Sequence, residues 1–78
     1  MASIQLSENI THFRYYTRRK TNYFFNAWIN GIFSIITFHE GELEFSCEPN
    51  KEVHVTEEQH ELILNSCLAE LRRRKHVK

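Results

Sequence analysis

Residues 23–47 read YFFNAWINGIFSIITFHEGELEFSC, three apolar segments divided by two glycine turns, Asn30-Gly31 and Glu40-Gly41. Asn-Gly between apolar runs is the strongest short-range hairpin signal, because the two-residue turn that suits the strand twist needs positive φ at both central positions. If Asn30-Gly31 is that turn, Ile29 faces Ile32, Ala27 faces Ser34, Phe25 faces Ile36 and Tyr23 faces Phe38. If Glu40-Gly41 is a second, Phe38 faces Leu43, Ile36 faces Phe45 and Ser34 faces Cys47. Strand side chains alternate between faces with a period of two, so both hairpins deliver their apolar partners to one face. Asn30-Gly31 also argues against one buried helix across this stretch. The opposite face then carries Phe24, Asn26, Trp28, Phe33, Ile35 and Thr37, more apolar surface than a water-facing side requires.

Upstream, His12 to Thr17 are strand formers, and Arg19-Lys20 reads as the turn into the next strand. On that register Tyr16 faces Tyr23, Arg14 faces Phe25, and Phe13 and Tyr15 join Phe24 and Trp28 on the second face. Residues 1–10 show no periodicity and read as a flexible lead-in, with Leu6 or Ile10 resting on the core. Downstream, Glu48-Pro49-Asn50-Lys51 is a loop, since proline cannot donate to a sheet ladder. Val53 and Val55 flank His54 as in a short further strand. Thr56 followed by Gln59 is a capping box, with Glu57 and Glu58 at the positive helix end and Arg72 to Lys75 at the negative one. His60, Ile63, Leu64, Cys67, Leu68 and Leu71 then form a single helical stripe. The expected fold is α+β in two layers: an antiparallel meander of three to four strands over residues 11–55, then one amphipathic helix over 56–75 on one sheet face. All 78 residues make one small domain, which buries only about 60% of its unfolded surface and gains from further burial by a partner.

Hydrophobic residues are 41% and aromatics 13% of a chain whose mean hydropathy is −0.52, the composition of a folded domain with an aromatic core. Polar residues break the longest apolar run well short of the ~20 residues of a membrane helix. The first residues lack a basic start and apolar block, so the expected location is cytoplasmic. Ten basic and ten acidic residues give zero formal net charge, which argues against a dedicated duplex-binding protein. The charges are nonetheless segregated: Arg14, Arg18, Arg19 and Lys20 lie at one end, Arg72 to Lys75 and Lys78 at the other, and Glu40 to Glu61 is mostly acidic.

No residue set forms a catalytic or metal motif. His39, Cys47, His54, His60 and Cys67 lack the close ligand pairs of structural zinc sites, and both cysteines read as small buried apolar residues. His54 with Glu42 or Glu44 is the only acid-base candidate, and an open sheet gives such a pair little desolvation. Both glycines are used in turns, so no phosphate loop is available. The reading is a non-enzyme without cofactor or small-molecule substrate.

Aromatic residues centred on a face with arginine at its rim have the composition of a protein interface. The expected contacts are Tyr15, Phe24, Trp28 and Phe33, with Arg18 and Arg19 at the rim, and the partner is another protein or a second copy. Small neutral domains of this kind act by occupying another protein's surface, as accessory or phage-encoded inhibitors and regulators do. The alternative is a single-strand nucleic-acid binder, in which bases stack on Tyr15 and Trp28 while Arg18, Arg19 and Lys20 follow the phosphates. At the level of topology alone, strands followed by a helix resembles the whirly and coactivator-type single-strand DNA binders, although none of their sequence motifs stands here. The acidic segment at Glu40 to Glu48 opposes a polyanion.

Overall fold

Both glycine turns form as two-residue hairpins. In the computed structural model, which describes residues 4–74, Asn30, Gly31, Glu40 and Gly41 all take positive φ (52°, 81°, 47° and 82°), as type I′ geometry demands. They join strands β2 (Asn22–Ile29), β3 (Ile32–His39) and β4 (Glu42–Ser46); β1 (Ile10–Arg19) precedes them, and helix α1 (Glu57–Arg73) follows. The sheet is an antiparallel meander in the order β1-β2-β3-β4. Its central register agrees with the phase of the sequence: Tyr23 pairs with Phe38, Phe25 with Ile36, Ala27 with Ser34 and Ile29 with Ile32, then Phe38 with Leu43 and Ile36 with Phe45. A substituent at Gly31 would meet no neighbouring atom, so the constraint there is backbone conformation alone. Gly31→Val should cost more than about 1 kcal/mol in denaturant unfolding, because a β-branched residue resists φ of +81°.

β1 departs from the expected register. The turn falls at Lys20-Thr21, with Arg19 opposite Asn22 and Arg18 opposite Tyr23. Two bulges follow. Thr17 pairs with Phe24 and Tyr15 with Phe25, leaving Tyr16 as an extra residue. Thr11 pairs with Trp28 and Arg14 with Asn26, so His12 and Phe13 both stand opposite Ala27, with His12 at φ 57°. Each bulge moves the following residues to the other face. The 3-2-3 spacing of Ile10, Phe13, Tyr15 and Arg18, which fits no simple strand, therefore points to one side. Phe13 and Tyr15 consequently belong to the core face: Phe13 stacks on Phe25 with ring centroids 5.4 Å apart, and Tyr15 meets Phe25 edge-on at 5.5 Å.

The expected lead-in is also shorter. Ile10 opens β1 and is fully buried, while Ile4 exchanges two backbone hydrogen bonds of 2.9 Å with Phe13 along the outer edge of β1. This pairing satisfies part of an otherwise open strand edge. Residues 53–55 form no strand, but Val53 and Val55 still pack against the core. β4 ends at Ser46, so Cys47 does not reach the position opposite Ser34; it is half-buried and donates its thiol hydrogen to the Lys51 carbonyl (3.0 Å).

The capping box of α1 is complete: Thr56 Oγ1 accepts from the Gln59 amide, and Gln59 Oε1 accepts from the Thr56 amide, both at 3.1 Å. The helix lays Ile63, Cys67 and Leu71 onto Ile10, Phe13, Phe25, Ala27, Ile29, Ile36 and Phe38 in one buried cluster. His60, expected on this stripe, is exposed at its margin and meets the Phe45 ring edge-on at 6.2 Å. Burial pushes the Cys67 thiol up to about 12, so it stays protonated and unreactive near neutral pH. The helix ends at Arg73 with Arg74 as its cap; Lys75 and Lys78 lie outside the described residues.

Glu70 is a carboxylate on the buried side of the last turns, 9% exposed. Its burial alone would raise its pKa, but ion pairs with Arg73 (2.6 Å) and Arg74 (2.9 Å) outweigh that and hold it below the ordinary carboxylate value. Arg74 also lies over the Tyr15 ring, 4.4 Å from its centroid, which locks the helix end to β1. A lowered folded-state pKa means that the contribution is complete above the unfolded value near 4.3 and is lost as pH falls through the folded value. Glu70→Gln should therefore be less stable than the parent by about 1 kcal/mol at pH 7, with the difference closing below about pH 4 in acid-denaturation curves.

Candidate functional site

With α1 on one face of the sheet, the described residues leave the other open, and the register arranges it in four rows. The first holds Thr11, Trp28 and Phe33; the second Arg14, Asn26, Ile35 and Ser46; the third Thr17, Phe24, Thr37 and Glu44; the fourth Arg19, Asn22, His39 and Glu42. Tyr16, displaced outward by its bulge, stands beside the third row and lines a shallow depression with Thr17, Arg19, Phe24 and Ile35. A second depression lies next to it, walled by Asn22, Thr37, His39, Glu42 and Glu44.

The exposure on this face is high for such side chains. Trp28 is 43% exposed, Phe33 40%, Ile35 38% and Tyr16 61%. Trp28 and Phe33 are direct cross-strand partners whose rings meet edge to face at 5.8 Å. Such a pair stabilises the hairpin modestly and holds both rings in one orientation. Asn26 is the exception, only 9% exposed, because the residues of its own and adjacent rows, Arg14, Ile35, Phe24 and Trp28, surround it.

Charge divides across the strands. Arg14 and Arg19 are exposed on the β1 side, and Glu42 and Glu44 on the β4 side, with the aromatic residues between them. Charged residues on a short edge strand also discourage indiscriminate edge pairing.

Of the residues expected to act together, Phe24, Trp28, Phe33 and Arg19 share this face. Tyr15 does not, since its ring packs against Phe25 and beneath Arg74. Arg18 stands opposite Tyr23 on the helix side, where it and Lys20 line a separate hollow with Phe38 and Leu68. The bulge at Tyr16 turns Tyr15 inward, whereas Arg18, between that bulge and the turn, is set on the helix side by simple alternation through its pairing with Tyr23. Tyr16, Arg14, Ile35, Glu42 and Glu44 complete the face instead. The last three follow from the hairpin arithmetic alone, whereas Tyr16 and Arg14 require the bulges.

Among the described residues, no three histidine, cysteine or acidic side chains gather as a metal site would require. His39 makes a 3.3 Å hydrogen bond with Thr21 Oγ1 and lies 3.7 Å from Glu40, an exposed surface arrangement. No described helix is long and apolar enough to cross a membrane. No protein-family model, curated protein or solved structure matches the chain.

Proposed function

We propose that the chain is a non-enzymatic interaction module that binds another protein, or a second copy of itself, through the open sheet face. The observation that carries this reading is the fixed, exposed Trp28–Phe33 pair on a face not covered by the helix. Rigid aromatic residues bring large contact area at small entropic cost, and Arg19 and Arg14 at the margin suit an interface rim. Cellular regulation by occupying a partner's surface is the role such a module fills.

The nucleic-acid reading has less support. Tyr15, Arg18 and Lys20 do not share the face with Trp28, and Glu42 and Glu44 border the aromatic cluster. Titration with single-stranded oligonucleotides at low and high salt should show no saturable, salt-sensitive binding; such binding would replace the protein-interface reading.

Trp28→Thr tests the interface directly. A threonine is a good strand residue, so in dilute solution the variant should lose less than about 1 kcal/mol of unfolding free energy. A loss of about 3 kcal/mol or more would make Trp28 a core residue and end the proposal.

A further inference from the structure

Resting on the reading of the open face as an interaction surface, we infer that its partner is a second copy of this chain, docked face to face about a twofold axis parallel to the strands. The face is self-complementary in that arrangement. Rotation about an axis along the strands, between β2 and β3, keeps every row at its own height and exchanges left with right. Trp28 then lies over Phe33 of the second copy, and Phe33 over its Trp28. Arg19 lies over the other Glu42, and the contact occurs twice, as isologous symmetry requires. Thr17 meets Glu44, so no like charges face one another. These assignments follow from the pairings of Trp28 with Phe33, Arg19 with Asn22 and His39 with Glu42.

The alternative twofold, across the strands, reverses the rows. It sets Trp28 over Asn22, Phe33 over His39 and Arg19 over Thr11, and brings no tryptophan, tyrosine or phenylalanine ring onto another and no charge onto its opposite. Aligned sheets pack about 10 Å apart at about −30°, which keeps corresponding rows near the axis within side-chain reach. The zero formal net charge of the chain adds no long-range repulsion between copies. Three strands about 27 Å long and the five-residue β4, about 17 Å, spaced about 4.8 Å apart, offer roughly 470 Å² per copy, or roughly 940 Å² in the pair. That is the lower end for a specific interface, and it commits the proposal to a reversible dimer of micromolar strength.

Sedimentation equilibrium of the full chain up to about 0.5 mM, at low salt, reads the result. The parent should dimerise. Arg19→Glu and Glu42→Arg should each weaken the dimer about tenfold, since each places like charges together at both symmetric contacts, and the double exchange Arg19→Glu/Glu42→Arg should restore it. If one single variant fails to fold, the other reads the same contact. A parent that is monomeric throughout overturns the second copy as partner. A dimer that ignores both charge reversals, or is not rescued by the double exchange, overturns this axis. Neither result touches the Trp28→Thr unfolding measurement, which judges the interface reading independently.

Discussion

Replacing Phe25 by alanine should remove about 3–5 kcal/mol of folding free energy, most of what a domain of this size possesses. Phe25 is fully buried at the meeting of all the layers: it pairs with Ile36 across the central hairpin, stacks on Phe13 from β1, and takes the edge of Tyr15. Alanine removes the ring and leaves a cavity beside two aromatic neighbours that cannot collapse into it without breaking the bulged register of β1. Circular dichroism through a urea titration should show the transition midpoint shifted strongly toward zero denaturant. Phe25→Leu, which keeps most of the volume, should cost markedly less, about 1–2 kcal/mol. A loss below about 1 kcal/mol for the alanine variant would mean that Phe25 does not organise the core. The contrast with Trp28 is the instructive part, since both are large aromatic residues on one strand, three positions apart and on opposite faces.

Asn30→Ala should cost about 2 kcal/mol, although the residue is exposed. Three things depend on it. Its backbone holds φ of 52°, which asparagine tolerates better than alanine. Its Nδ2 donates to the His54 carbonyl at 2.8 Å, and its Oδ1 accepts from Gln59 Nε2 at 3.0 Å. Gln59 is the same residue that completes the capping box with Thr56, so the β2–β3 turn and the first turn of α1 form one hydrogen-bonded unit. The Asn30 backbone amide further donates to the Asn9 carbonyl (2.8 Å), which joins the amino-terminal segment to the same corner. Asn30→Asp keeps the turn preference and the Oδ1 acceptor but lacks the donor to His54, and should fall between parent and alanine variant. Equal stability of all three in denaturant titration would show that the corner contributes nothing.

What could be read from the chain alone divides along physical lines. Asn30-Gly31 and Glu40-Gly41 announce a turn type whose geometry sets the register, so the face assignment of β2, β3 and β4 follows by counting. The Thr56 and Gln59 pair likewise marks the helix start because both halves of a capping box are local. β1 has no such marker. Its turn uses Lys20 at φ 55° instead of a glycine, and its two bulges leave no local trace beyond the irregular spacing of Ile10, Phe13 and Tyr15. Tyr15 and Tyr16 therefore exchange faces relative to a simple alternating strand. Asn30 shows the same limit in another form: its role in the turn is local, but its partners stand 24 and 29 residues away. Glu70 falls seven residues after Ile63, a position on the same helical stripe, and an acidic residue there is the trace of the Arg73–Arg74 cluster. The open face was legible in Phe24, Trp28, Phe33 and Ile35, and its acidic margin at Glu42 and Glu44 by the same counting, while Arg14 and Tyr16 on the β1 side needed the bulges.

The described residues of the chain leave the Trp28 face open, where a partner can cover it. The chain holds a single tryptophan, so its fluorescence, excited at wavelengths where the three tyrosines do not absorb, reports on that face. Emission and acrylamide quenching, followed from low micromolar to the highest attainable concentration, test this openness most directly. Emission in dilute protein should be solvent-exposed and readily quenched, and should shift to the blue and become protected as the protein is concentrated. Blue-shifted, quencher-protected emission already present at the lowest concentration, and unchanged above it, would contradict it.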